Sequence, residues 1–141
     1  MGGWSLYAHE GKLKYCYNFL GILHFDVTAS SPLPPGTQQV RMEFTYDGGG
    51  LGKGAGVVLY VGGKKAGEGR LQRTQALFFS MDETMEIGCD VGEPVSEDYG
   101  PRDNEFSGAV KWVQIDIDAA AKDVDHLIKA DERFQLFMAR Q

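Results

Sequence analysis

The sequence predicts a mainly β, two-sheet sandwich closed by a C-terminal helical segment, and three observations carry that expectation. Nineteen glycines and 11% aromatic residues in a chain of 141 point to short strands joined by tight turns. Residues 39–46 alternate, with Val40, Met42, Phe44 and Tyr46 on one parity and Arg41, Glu43 and Thr45 on the other, which is the period of a half-buried strand. The pair Gly62-Gly63 separates two strand-like runs and supplies the positive φ that a two-residue hairpin turn requires. At this length the chain has room for one core, so residues 1–141 are expected to form a single domain.

In chain order, residues 4–8 and 12–19 are Tyr-, Leu- and Phe-rich runs around His9-Glu10-Gly11, which reads as a hairpin. Residues 24–28 alternate again. The breaker cluster from Ser30 to Gly36 holds three prolines and fits a surface connection, since neither a helix interior nor a central strand accepts it. The strand at 39–46 follows, and residues 57–61 and 64–71 flank the glycine pair. Shorter strands are expected at 77–80 and 85–87, and Phe106, Val110, Trp112, Val113, Ile115 and Ile117 predict a last strand over 106–117. The sheet region thus ends near residue 118. From 119 to 141 the period changes to that of a helix, with Val124, Leu127, Ile128, Phe134, Phe137 and Met138 on one face. Asp118 is the expected N-cap, and Asp131 falls inside the apolar face, so one broken helix or two short ones are expected, stopping near Ala130 and restarting with Asp131 as a new cap.

Fourteen Lys and Arg against twenty Asp and Glu leave a net charge of −6, which argues against nucleic acid or anionic lipid as partners. No run of eighteen apolar residues is present to span a bilayer. Met1-Gly2-Gly3-Trp4 lacks the basic and apolar regions of a secretory leader, so the expected location is cytoplasmic. Cys16 and Cys89 have no CxxC spacing; they read as two core thiols, with a single bridge between them as the alternative.

Asp47-Gly48-Gly49-Gly50-Leu51-Gly52-Lys53-Gly54 invites comparison with a phosphate-binding loop. It fails because the first required glycine is Asp47, Gly54 replaces the hydroxyl residue after Lys53, and a strand follows where a helix N-terminus is needed. The histidines His9, His24 and His126 sit in no nucleophile motif. Asp90, Glu97, Asp98 and Asp103, with Glu93, crowd a Gly- and Pro-containing loop. They are the candidate Ca²⁺ ligands, although the spacing is not that of an EF-hand. The competing and preferred reading has Ser96 or Asp98 fixing the loop through backbone hydrogen bonds. Trp4, Tyr7, Tyr15, Tyr17, Tyr99 and Trp112 offer a sugar-stacking platform, against which stands the usual role of aromatics at strand spacing as core or cross-strand partners.

Several strings together resemble the C-terminal domain of large bacterial-type arylsulfatases. They are Gly2-Gly3-Trp4-Ser5-Leu6-Tyr7, Tyr17-Asn18-Phe19-Leu20-Gly21, Pro32-Leu33-Pro34-Pro35-Gly36, the run from Phe44 to Gly54, Leu59-Tyr60-Val61 and Pro94-Val95-Ser96-Glu97-Asp98-Tyr99-Gly100. Phe106-Ser107-Gly108-Ala109-Val110 and Met138-Ala139-Arg140-Gln141 extend the likeness over nearly the whole chain. The resemblance implies a concanavalin- or laminin-G-like jelly roll packed against an alkaline-phosphatase-like catalytic domain. It implies no catalysis by this chain, because the family's formylglycine is made at Cys/Ser-x-Pro-Ser-Arg and neither cysteine, nor Ser30-Ser31-Pro32-Leu33-Pro34, fits that string. No cofactor is expected.

In the family this domain begins with strand upstream of the Gly-Gly-Trp string, whereas Met1 directly precedes it here. The sandwich is therefore expected to lack an N-terminal strand and to offer an edge to another chain. Two functions from different classes follow. One is a non-catalytic accessory or remnant domain that packs against a sulfatase catalytic domain or its own copies; the alternative is a carbohydrate-binding module. An exposed apolar contact surface marks the first, and a concave row of exposed aromatics the second.

Overall fold

A computed structural model describes residues 2–76 and 85–117, and among them the regular structure is entirely β. The strands are β1 (Gly3–His9), β2 (Lys12–Phe19), β3 (Leu23–Thr28), β4 (Val40–Tyr46), β5 (Ala55–Val61) and β6 (Lys64–Leu71). They form two antiparallel three-stranded sheets in sequence order, β1-β2-β3 and β4-β5-β6.

Each hairpin follows from its turn residues. Gly62 and Gly63 have φ of 57° and 77°, and Glu10 and Gly11 have 49° and 74°, so both two-residue turns carry the mirror-image geometry that matches strand twist. The β2–β3 connection turns through Leu20 and Gly21, where Asn18 Oδ1 accepts the Gly21 N–H at 2.6 Å. The strands at 85–87 and 106–117 expected from composition do not form. Apolar, β-branched residues favour a strand only where a partner completes the ladder, and segment 106–111 is tied instead by Phe106 N–H to Gly88 O at 2.7 Å. Residues 112–117 are the described part of a second compact unit; there the Gln114 amide donates to both Asp116 carboxylate oxygens at 3.0 Å. The strand expected at 77–80 and the helix expected at 119–141, with its Asp118 cap, lie outside the described residues.

The two sheets share one core. Leu13, Tyr15, Tyr17, Val27 and Ala29 from the first meet Ala55, Val57, Leu59 and Leu71 from the second, with Leu6, Phe25 and Met42 packed around them. The sheets come closest where β3 lies against β6. A bulge there sets Leu59 opposite Gly67 but Tyr60 opposite Lys65, leaving Ala66 as the extra residue. Its carbonyl accepts both the backbone N–H and the hydroxyl of Ser30, at 2.8 and 3.0 Å. Gly67 and Gly69 make the approach possible: a Cβ on Gly69 would stand 2.4 Å from Val27 Cγ2, and one on Gly67 2.8 Å from the Thr28 carbonyl oxygen.

At β1 and β4, the edges away from this seam, the core faces are open. Trp4 stacks on Tyr15 with ring centroids 6.3 Å apart yet remains 44% exposed. Phe44 and Tyr46, cross-strand neighbours of the buried Val57 and Ala55, each remain 40% exposed.

Candidate functional site

The acidic loop forms a further layer, on the outer face of the first sheet. Cross-strand pairing puts Gly3, Ser5 and Tyr7 of β1 beside Asn18, Cys16 and Lys14 of β2 on that face, opposite the core-facing Leu13, Tyr15 and Tyr17. The loop meets these residues one after another. Val95 O accepts from Asn18 Nδ2 at 3.1 Å and from Cys16 Sγ at 3.6 Å. Asp98 Oδ2 accepts the Tyr7 hydroxyl at 2.6 Å and pairs with Lys14 Nζ. Tyr7 has one proton, spent on Asp98, so across the 2.8 Å contact Ser96 donates to Tyr7; Ser96 Oγ in turn accepts Asp98 N–H at 3.2 Å. Tyr7 and Tyr99 meet edge to face at 5.2 Å.

The loop is also pinned to itself. Asp90 Oδ2 accepts Val95 N–H at 3.0 Å and the Tyr99 hydroxyl at 2.6 Å. Asn104 brackets the base of the loop, accepting Asp90 N–H at 3.0 Å and donating to Asp90 O at 2.7 Å and Gly100 O at 2.9 Å.

This environment sets the protonation states. Burial, joined by Asp98, holds the Tyr7 phenol far above its ordinary range, and burial with Asp90 does the same to Tyr99. Burial, with Asp26 alongside, pushes the Cys16 thiol up to about 12, so at neutral pH it is a protonated, unreactive group. For Asp98, burial works to raise the carboxyl pKa, but the Lys14 and Tyr7 hydrogen bonds outweigh it and hold the group below the usual carboxylate range. Ser96 is 5% exposed and its proton is committed to Tyr7.

The four candidate Ca²⁺ ligands do not converge. Asp90 serves Val95 and Tyr99, Asp98 serves Tyr7 and Lys14, and Glu97 is 86% exposed with His24 Nδ1 3.8 Å away. Asp103 holds a left-handed turn position with φ 62°. Among the described residues no group of three or more His, Cys, Asp or Glu side chains gathers as a metal site. Both cysteines are free thiols. Ser96 does fix the turn through Asp98 N–H, as the residue types suggested.

Nor do the aromatics of the sugar-platform reading line an open row. Tyr15 and Tyr17 are core residues, and Tyr7 and Tyr99 are hydrogen-bonded to loop carboxylates. The glycine run is the β4–β5 connection, closed by Asp47 N–H to Gly54 O at 3.0 Å, by the Asp47–Arg70 ion pair and by Lys53 N–H to the Tyr46 hydroxyl at 3.0 Å. The roles of Tyr7 and Lys14 had no local signal, because their partners lie 84 to 91 residues away.

Further exposed apolar surface lies at the edges β1 and β4. Trp4 on β1, and Val40, Phe44 and Tyr46 on β4, present core-parity side chains to solvent. Comparison of the chain with family models, with curated proteins and with solved structures found no match to any of the three.

Proposed function

We propose that this chain is a non-catalytic assembly domain of the arylsulfatase C-terminal kind that its motifs resemble, with its two sheets as parts of a concanavalin- or laminin-G-like jelly roll. The apolar edges at β1 and β4 are its contact surfaces, taken by a sulfatase catalytic domain or by copies of the same chain. The observation behind this reading is the exposure of Trp4, Phe44 and Tyr46 on core-facing parity. Large apolar side chains exposed at sheet edges are stabilised when another surface excludes water from them. The hydroxyl and thiol groups of the loop cluster are protonated and occupied, which favours a holding role there over nucleophilic chemistry. The carbohydrate-binding alternative loses support with its aromatic row, since Tyr15 and Tyr17 are spent in the core.

The test uses Trp4 as a reporter in a Trp112→Phe variant. Its emission is expected to shift to the blue as chain concentration rises or as a sulfatase catalytic domain is added, with no turnover of a chromogenic aryl sulfate. An emission shift with polysaccharide alone, or aryl sulfate turnover lost on mutating this chain, would overturn the proposal.

A further inference from the structure

We propose that the cleft between the proline segment and the β5–β6 hairpin is a binding site for a small aromatic carboxylate, with Lys64 as its charge partner. The cleft holds about 230 Å³ and is walled by Ser31, Pro32 and Pro34 from the segment and by Val61, Lys64 and Ala66 from the hairpin. None of these residues belongs to the acidic-loop cluster, to β1 or to β4. The site is therefore separate from the contact surfaces proposed above.

The register shows what is unusual about Lys64. Val61 and Lys64 are direct cross-strand partners, so they share a face of the sheet, and Val61 packs against the core on that face. Lys64 thus holds a core-parity position at the start of β6, where an apolar residue is the ordinary choice. Among the described residues its ammonium forms no ion pair. Lys65 also borders the cleft, but it shares its face with Tyr60 instead and is paired with Glu68 at 2.6 Å. One positive charge, that of Lys64, is left uncompensated against apolar walls among the described residues.

The facing wall is preformed. Proline fixes φ at about −65° and carries no N–H, so Pro32 and Pro34 present ring surfaces with little freedom to lose. The segment is pinned on either side of Ser31-Pro32: Ser30 gives its N–H and hydroxyl to Ala66 O, and Leu33 donates its N–H to Gly11 O at 2.7 Å while its side chain packs on the core. A wall held in this way costs little ordering when a ligand arrives. These features also select the ligand. Pockets for drug-sized molecules run to about 300–1,000 Å³, so this cleft has space for a single ring. Proline rings and flat aromatic faces are complementary surfaces, the pairing by which proline-rich segments dock in aromatic-lined grooves. A carboxylate answers Lys64, and Ser31, whose side chain has no hydrogen bond among the described residues, adds a hydroxyl donor to the same lining. The net charge of −6 gives the chain no general attraction for anions, so an anion held here is held by the cleft itself.

The test is a titration of the isotope-labelled chain with benzoate, followed by amide chemical shifts. Benzamide, which keeps the ring without the charge, and acetate, which keeps the charge without the ring, are titrated alongside. Benzoate is expected to bind saturably in the millimolar range, as suits a ligand this small, with shifts centred on Ser31, Leu33 and residues 61–66. Each comparator should bind about tenfold more weakly or less. Lys64→Met keeps the aliphatic stem and should bring benzoate down to the level of benzamide. Lys65→Met removes a charge already spent on Glu68 and should leave benzoate binding within about twofold of wild type. Amide spectra unchanged away from the cleft confirm that both variants are folded. Absence of saturable shifts, shifts centred elsewhere, benzamide binding as tightly as benzoate, or an equal loss in the two variants would overturn the site. Acetate binding as tightly as benzoate would overturn the aromatic class of the ligand.

Discussion

Gly69→Ala is the most direct probe of the seam that joins the sheets. The added Cβ would stand 2.4 Å from Val27 Cγ2, more than an ångström inside the ~3.5–4.0 Å optimum for two carbons. Turning Val27 away from its rotamer costs about 0.5–1.5 kcal/mol, and overpacking of this kind costs about 1–3 kcal/mol in total. Alanine returns about 0.5–1 kcal/mol by restricting the unfolded chain, so the net loss is about 1–2 kcal/mol. Val27→Ala alone removes two buried methyls at about 0.8 kcal/mol each, or about 2 kcal/mol with incomplete collapse of the space. The double variant fills that space with the new methyl, and a coupling of about 1–2 kcal/mol in its favour is expected. Urea denaturation with an unchanged m-value measures each corner of the cycle. Gly67→Ala is the internal control: its Cβ meets the Thr28 carbonyl at 2.8 Å, a backbone atom that Val27→Ala does not relieve. Strict additivity at position 69, or equal rescue at position 67, would refute the packing described for β3 against β6.

Two further outcomes follow from the loop cluster. Because Asp98 is held below the usual carboxylate range by Lys14 and Tyr7, its contribution is complete above the unfolded value of 3.8 and is lost as pH falls through the lower folded value. Asp98→Asn should cost about 1.5–3 kcal/mol at neutral pH, nearer the lower end because its side chain is 26% exposed, and the gap to wild type should hold down to pH 3.8 and close only as pH falls below it through the lower folded value; parallel pH profiles would count against the clamp. With Asp90 and Asp98 committed to separate partners and no group of three or more acidic side chains gathered among the described residues, the melting temperature in millimolar Ca²⁺ should equal that in EDTA, and a rise of several degrees that disappears in Asp98→Ala would contradict this placement.

The parts of the fold legible in the sequence are those whose cause is local. His9-Glu10-Gly11 and Gly62-Gly63 separate strand-like runs, and both became hairpins with strands within two residues of their expected bounds, the first turning on Glu10 and Gly11 alone. Segment 106–117 marks where local causes stop: its valines and isoleucines meet the composition of a strand, but a ladder also needs a partner edge, which composition does not report. The same holds for the loop. Ser96 as a turn-fixing side chain was readable from its type and neighbours, whereas its junction with Tyr7 was not, since nothing near Tyr7 marks a residue 89 positions away as its partner. For β4, alternation announced the faces correctly, yet not that Phe44 and Tyr46 would face inward and still be exposed, because that depends on how far the opposite sheet reaches.

The layering of the loop over the first sheet also bears on how the chain collapses. The strand pairs within each sheet are neighbours in sequence, so their ladders close short loops, on timescales of microseconds for isolated hairpins. The Lys14–Asp98 tie spans 84 residues. Loop-closure entropy grows by about 0.6 kcal/mol per doubling of length, which makes this tie about 2–3 kcal/mol harder to close than a hairpin of a few residues when nothing else is formed. Once the two meanders have met at the β3–β6 seam, most of that span is already fixed, and the remaining search is short. The chain order therefore favours a sequence of events in which hairpins form first, the sheets dock second, and the acidic loop settles last onto a face already built to receive it.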